Sequence, residues 1–315
     1  MNLASENHTG QFLLMLKRGV MVGTVAVLLS ACSTAGVIND VFSGKSTSTT
    51  TATSTNAASA GGAMSPDLAA AGKGDPVAEL YNSGLDKLNA GSYKAAAKSF
   101  AEVERQHPYS KWATKALLMQ AFAYYQNNAY DDAINSANRF ISLHPGHKDS
   151  AYAYYLAAIS EYEQITDIRR DQSVTQKALD GLDEVSRRFP DSPYAADAAK
   201  KSVLAKDHLA AKEMDVGRYY LKKGSYLAGI NRFKTVVTNY QTTTQVPEAL
   251  YRLTEGYMAL GVVSEAQTAA AVLGQNFPNS QWYKDAYTLV TSNGQQPVEN
   301  TQSWISRTFK HLNPL

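Results

Sequence analysis

The chain has 315 residues, of which 44% are hydrophobic, with 30 Lys and Arg set against 28 Asp and Glu and a single cysteine. Charge this close to neutral argues against a nucleic-acid binder, which needs clustered positive charge to displace counterions. One cysteine excludes intramolecular disulfides, so any folded part must draw its stability from an apolar core.

The first element is a targeting segment. Lys17 and Arg18 precede an uncharged run from Gly19 to Leu29, followed by Ser30, Ala31 and Cys32. A basic flank, a short apolar stretch and small residues at its end are the parts of a secretory signal. Roughly 20 apolar residues are needed to span a bilayer, so the run is too short for a stable membrane helix. Leu29-Ser30-Ala31-Cys32 resembles the lipobox of bacterial lipoproteins. The motif requires cysteine because only a thiol is nucleophilic enough near neutral pH to accept the diacylglyceryl group. The resemblance implies cleavage after residue 31 and N-palmitoyl and S-diacylglycerol chains on Cys32, with no other cofactor. Ser33, where Asp would favour inner-membrane retention, points to the periplasmic face of the outer membrane. The chain before Met15 adds nothing to a signal, and Met15-Leu16-Lys17-Arg18 reads as an alternative start.

Residues 32–75 form the next region. Positions 46–60 are Ser, Thr, Ala and Asn only, a composition that cannot bury enough apolar surface to offset ordering. A disordered leash of about 43 residues is expected, reaching about 35–40 Å on average.

Residues 76–290 are rich in Ala, Leu and Tyr at helical spacing, and they repeat. Gly91-Ser92-Tyr93 recurs as Asn128-Ala129-Tyr130 and Gly224-Ser225-Tyr226. A ring followed by proline recurs as His107-Pro108, His144-Pro145, Phe189-Pro190 and Phe277-Pro278, with Tyr240-Gln241 in the matching place. The longer step between Pro145 and Pro190 points to an insertion around Thr166–Gln172. Three copies continue with Ser110, Ser192 and Ser280, then Trp112, Tyr194 and Trp282. Small residues fall at Gly84, Ala121 and Ala158 and at Ala96, Ala133, Ala178 and Ala266. The pattern resembles the tetratricopeptide repeat and predicts an all-α solenoid of about five helix-turn-helix units. Gly or Asn permits the turn, and proline ends the second helix of each unit. The fourth unit departs most, with a first helix running from about Ser192 to Lys223. Residues 291–315 are a polar linker and a short segment in which Trp304, Ile305, Thr308, Phe309 and Leu312 share one helical side. That stripe docks either on the solenoid or on a partner.

Catalytic and metal chemistry find little support. His107 and His144 occupy the slot that Phe189, Tyr240 and Phe277 fill elsewhere, so ring packing explains them. His144 and His147 lack further ligands in any recognised pattern. Gly44-Lys45-Ser46 lacks the first P-loop glycine, since Asn39 stands there, and no strand precedes it. There is no nucleophile elbow.

The first helices of the repeats are more informative. With Leu117, Ala121 and Tyr124 facing the core, Leu118, Phe122 and Tyr125 lie on the opposite side, and Tyr155, Ile159 and Tyr162 do the same in the next unit. Tyr81 and Leu85 extend the stripe. A helix apolar all round is either buried on both sides or lines a binding surface. The two readings are a peptide groove, for which Tyr is well suited, and a tight superhelix filled by its own rings. Lys115, Arg169 and Arg170 stand within reach to receive a carboxylate or an acidic partner.

Lipobox, five repeats and the recurring Pro-x-Ser-x-Trp/Tyr together resemble the BamD (ComL or YfiO) family, lipoproteins of the β-barrel assembly machinery. The resemblance covers about two-thirds of the chain. It implies a non-catalytic scaffold that binds a BamA-like barrel subunit and accessory lipoproteins through its C-terminal half. It also implies receipt of the termini of unfolded outer-membrane proteins in its N-terminal half. The long leash departs from the short tether of that family. A cell-envelope tetratricopeptide adaptor for peptidoglycan and outer-membrane processes is the alternative, although no heptads precede Pro76. A lytic transglycosylase would need a separate catalytic domain, for which the repeats leave no room.

Overall fold

The computed structural model describes residues 74–310, and every regular element among them is a helix. The signal, Cys32 and nearly all of the leash lie outside the described residues, as does Leu312. The helices are α1 (Pro76–Asn89), α2 (Tyr93–Gln106), α3 (Lys111–Gln126), α4 (Tyr130–Leu143), α5 (Ser150–Tyr162) and α6 (Ser173–Arg188). They continue with α7 (Ala195–Lys222), α8 (Tyr226–Asn239), α9 (Val246–Ala259), α10 (Val263–Asn276), α11 (Gln281–Ser292) and α12 (Trp304–Lys310).

Each helix from α1 to α10 packs on the next, giving five antiparallel pairs, and α11 closes the last pair. Odd-numbered helices also touch one another, α1 on α3, α3 on α5 and so on to α11, whereas α2, α4, α6, α8 and α10 do not. The odd helices are thus the inner row of a curved stack, and their shared side is its concave face. This is a tetratricopeptide-type solenoid in which each unit contacts only its neighbours.

The turn residues act as their chemistry requires. Gly91, Asn128, Gly224 and Gly261 sit at φ between 57 and 74°, in the left-handed region. In each case the next backbone N–H reaches five residues back, as in Ser92 to the Lys87 carbonyl at 2.8 Å and Ala129 to Tyr124 at 3.0 Å. This arrangement satisfies carbonyls that the helix end would orphan. The Gly261 turn lacks the Ser-Tyr or Ala-Tyr companions and is the unmarked copy of the motif.

Ser after proline is a helix cap in two copies. Ser110 Oγ accepts from the Ala113 N–H and Ser280 Oγ from the Tyr283 N–H, both at 3.1 Å. Ser192 breaks the equivalence: α7 begins only at Ala195, and the Ser192 hydroxyl is buried without a partner.

Close helix crossings use glycine. A Cβ on Gly84 would sit 2.6 Å from the Phe100 ring, and one on Gly217 would sit 2.5 Å from the Phe233 ring. The fourth unit therefore repeats the first unit's crossing in the second half of the 28-residue α7. The first half of α7 is extra, laid against α5 and α6. The insertion predicted near Thr166–Gln172 is the connector from α5 to α6.

The C-terminal stripe docks on the solenoid. Ile305 and Phe309 are buried in one core with Phe233, Val272 and Leu273. Trp304 Nε1 donates to the Tyr257 hydroxyl at 3.2 Å, and the Lys234 ammonium lies 4.9 Å from the indole ring. No helix among the described residues is long and apolar enough to cross a membrane.

Candidate binding surface on the concave face

The predicted stripe proves to be mostly a packed layer. Tyr81, Leu118, Phe122, Tyr155 and Ile159 are all buried, none more than 7% exposed. Leu85, Tyr125 and Tyr162 keep partial access to solvent. The Tyr81 ring lies 5.5 Å from Phe100 and 5.1 Å from Trp112, and Tyr155 stacks on Tyr194 at 5.2 Å. Of the two readings, the burial of these five residues favours the layer filled by its own rings. Because odd helices touch their odd neighbours, a helix apolar all round is covered on two sides. What remains available to a ligand is the rim of the layer at Leu85, Tyr125 and Tyr162.

A polar network crosses this layer. The Tyr155 hydroxyl donates to Asp197 at 2.6 Å, and Lys201 Nζ donates to both Asp197 oxygens at 3.0 and 2.8 Å. Burial penalises the Asp197 carboxylate, yet the bonds from Lys201 and Tyr155 outweigh it and hold its pKa below the usual value. Burial, with the Asp197 bond added, pushes the Tyr155 phenol far up. Burial and then the Glu163 charge raise Tyr125 likewise. Tyr194 is pushed up to about 12, chiefly by burial and then by Asp149. Its hydroxyl and Trp112 Nε1 are buried donors without partners among the described residues. Lys115, beside the Trp112 ring at 5.9 Å, has its pKa lowered by burial and then by Lys148. Asp197, Lys201 and Tyr194 also belong to this surface. The i,i+4 spacing of Asp197 and Lys201 was the one available signal.

The α5–α6 connector divides the concave channel. Lys212 Nζ donates to the Arg169 carbonyl at 3.2 Å, His208 Nδ1 lies 3.3 Å from Gln172 Oε1, and Arg169 approaches Asp215 at 3.9 Å. On one side is a hollow of about 310 Å³ bounded by Tyr162, Glu163, Ile165, Leu204 and His208. On the other is a cleft of about 690 Å³ whose walls include Arg169, Arg218, Leu221, Lys222 and Arg252. Of the cations predicted to face a ligand, Arg169 lines this cleft, whereas Lys115 and Arg170 line neither hollow.

His144 and His147 form an edge-to-face pair 6.3 Å apart that packs on Phe140. Among the described residues no group of three or more His, Cys, Asp or Glu is placed to hold a metal ion.

Stacked helix pairs with an aromatic and charged inner face define a tetratricopeptide-type repeat protein. A family model described as YfiO, outer membrane lipoprotein, matches residues 73–273, and the chain belongs to that family. It is 49% identical over 223 residues to the outer membrane protein assembly factor BamD of Caulobacter vibrioides, covering 71% of this chain and 73% of that one. The factor of the same name from Rickettsia prowazekii is 48% identical, over 68% of this chain and 86% of its own. That from Neisseria meningitidis serogroup A is 34% identical, over 67% and 83%. Among solved structures, the MamA protein superposes with a TM-score of 0.30 at 17% identity, over 70% of this chain and 95% of its own.

Proposed function

We propose that the chain is a non-catalytic, lipid-tethered scaffold in the assembly of β-barrel outer-membrane proteins. The observation that carries this reading is family membership across the helical stack, residues 73–273, with relatives that are named assembly factors. The lipobox at Cys32 supplies the tether. Two or more acyl chains give stable anchoring, which suits N-palmitoyl and S-diacylglycerol groups on that residue at the periplasmic face of the outer membrane. A BamA-like barrel subunit and accessory lipoproteins are the proposed partners, and unfolded outer-membrane protein termini the proposed clients. The half-exposed rim at Leu85, Tyr125 and Tyr162 is the proposed point of client contact. Large aromatic rings with few rotors to freeze suit extended peptides.

Detergent extraction of outer membranes followed by capture of the full-length chain tests the scaffold role, with a co-purifying barrel protein as the expected result. Capture of the chain alone would reject it. In the same experiment Cys32→Ala is expected to move the chain into the soluble periplasmic fraction. At the rim, Tyr125→Ala with Tyr162→Ala is expected to weaken photo-crosslinking of a peptide ending in a free aromatic residue by tenfold or more. Unchanged crosslinking would reject the rim.

A further inference from the structure

The cleft beyond the α5–α6 connector is built differently from the tyrosine layer. Its walls are that connector, the second half of α7, and α9. Arg169, Arg218, Lys222 and Arg252 line it against Asp215 and Glu255. A third carboxylate, Glu248, is divided between Arg218 at 3.0 Å and Arg252 at 3.3 Å. Among the described residues Lys222 has no ion pair, and the 78%-exposed Arg169 meets Asp215 only at 3.9 Å. Cationic hydrogen-bonding capacity is therefore left over on both sides of the opening.

Arg252 is held in place from two directions. Glu248 and Glu255 take its Nε and one terminal nitrogen, the latter at 2.8 Å, and its guanidinium lies 5.0 Å from the Tyr251 ring and 5.6 Å from the Trp282 ring. A guanidinium braced by ring faces and carboxylates loses little entropy when an anion arrives. Between the cations, Leu221 and Tyr219 supply an apolar wall, and Tyr219 is 57% exposed. Tyrosine hydroxyls, the Glu163 carboxylate and the Asp197–Lys201 pair mark the other compartment, so the two ends of the channel differ in chemistry.

A small inorganic anion would use the cations and leave the apolar wall idle. An extended peptide uses both, because its side chains alternate along a strand with a rise of about 3.3 Å per residue. We propose that this cleft docks an acidic extended segment of a partner protein, its carboxylates on Arg169, Arg218, Lys222 and Arg252 and an apolar side chain on Leu221 and Tyr219. The site stands apart from the tyrosine rim, so the two can be tested separately.

The test uses the full chain and a blocked, fluorescent hexapeptide of the sequence Glu-Leu-Glu-Asp-Leu-Glu, read by anisotropy. A Gln/Asn counterpart serves as the uncharged control. The acidic peptide is expected to bind and to weaken steeply with added salt, since paired charges at an open cleft are screened. The double variant Arg169→Gln with Lys222→Gln is expected to bind it at least tenfold more weakly. Lys222→Gln alone removes a side chain without an ion pair and is expected to cost several-fold, with the helical circular dichroism of the parent. Equal binding of the uncharged peptide, undiminished binding by the single and double variants, or no binding by the parent would each overturn the proposal. Crosslinking of the aromatic-ending peptide at Tyr125 and Tyr162 is expected to be untouched by these variants, which separates failure of the cleft from failure of the rim.

Discussion

The two ends of the solenoid use the same repeat for different kinds of surface. Toward the N-terminus, neighbouring first helices close over one another, and their aromatic rings fill the concave side from Tyr81 to Tyr194. Toward the C-terminus, the connector holds Arg169 over α7, and a charged cleft stays open. On the outer side the contrast continues: α12 seals the even helices α8 and α10 with Ile305 and Phe309, and no comparable strap covers α2 or α4 among the described residues. Repeat identity thus specifies the stacking, while additions to the repeat specify the surfaces.

Three experiments can break or sharpen this contrast. The largest effect is expected from paired core truncations at the glycine crossings, Phe233→Ala and Phe100→Ala. Each removes a fully buried ring, at a cost of about 3–5 kcal/mol. Phe233 belongs to a core shared by helices from α7 to α12, so its loss is expected to lower the urea midpoint of the whole C-terminal part. Phe100 sits in the terminal pair, where loss is expected to show as local hydrogen exchange in α1 and α2. Identical exchange patterns in the two variants would mean that the ends form one cooperative unit.

A smaller effect is expected at Asp197. Its folded pKa lies below the ordinary value, so the stabilisation is present at neutral pH and is lost as pH falls through the usual carboxylate range toward the depressed folded value. At a side chain 40% exposed, solvent screening limits the contribution to about 1 kcal/mol. Asp197→Asn is expected to lower the urea midpoint at pH 7 and to narrow its difference from the parent as acid is added. A difference that grows with acid would show that burial, rather than Lys201 and Tyr155, governs this carboxylate.

The smallest contrast lies in the Pro-x-Ser motif. Ser280→Ala removes a helix cap and is expected to cost about 1 kcal/mol. Ser192→Ala removes a buried hydroxyl that has no partner and is expected to fall within about 0.5 kcal/mol of the parent. Thermal melting of the two variants side by side measures the difference, and equal losses would restore the equivalence suggested by the repeat.

Local chemistry made the repeats legible. A left-handed turn needs Gly or Asn, a helix end tolerates proline, and a close crossing needs a residue without bulk, so Gly91, Asn128, Pro108 and Gly84 can be read without knowing what they touch. The insertion at Thr166–Gln172 and the overlong α7 showed up as breaks in that period. The C-terminal stripe was visible as amphipathic, but its partner was not. The period says that one face is apolar, not whether that face meets the solenoid or another chain.

The concave surface escaped the sequence for the same reason. Phe122 and Tyr125 are both aromatic positions on one helix, yet one is buried and the other stands at the rim. Which is which depends on the distance between α3 and α5, a property of curvature summed over several crossings. Arg169, Arg218, Lys222 and Arg252 are scattered over more than 80 positions of the chain; i,i+4 spacing joins Arg218 to Lys222, but nothing joins that pair to Arg169 or Arg252. By itself the sequence determined the helix pairs and their order, because each follows from the preferences of a few consecutive residues. Only the tertiary structure decided which aromatic rings are packed and which remain in reach, and which cations meet, because those outcomes depend on how whole helices approach one another.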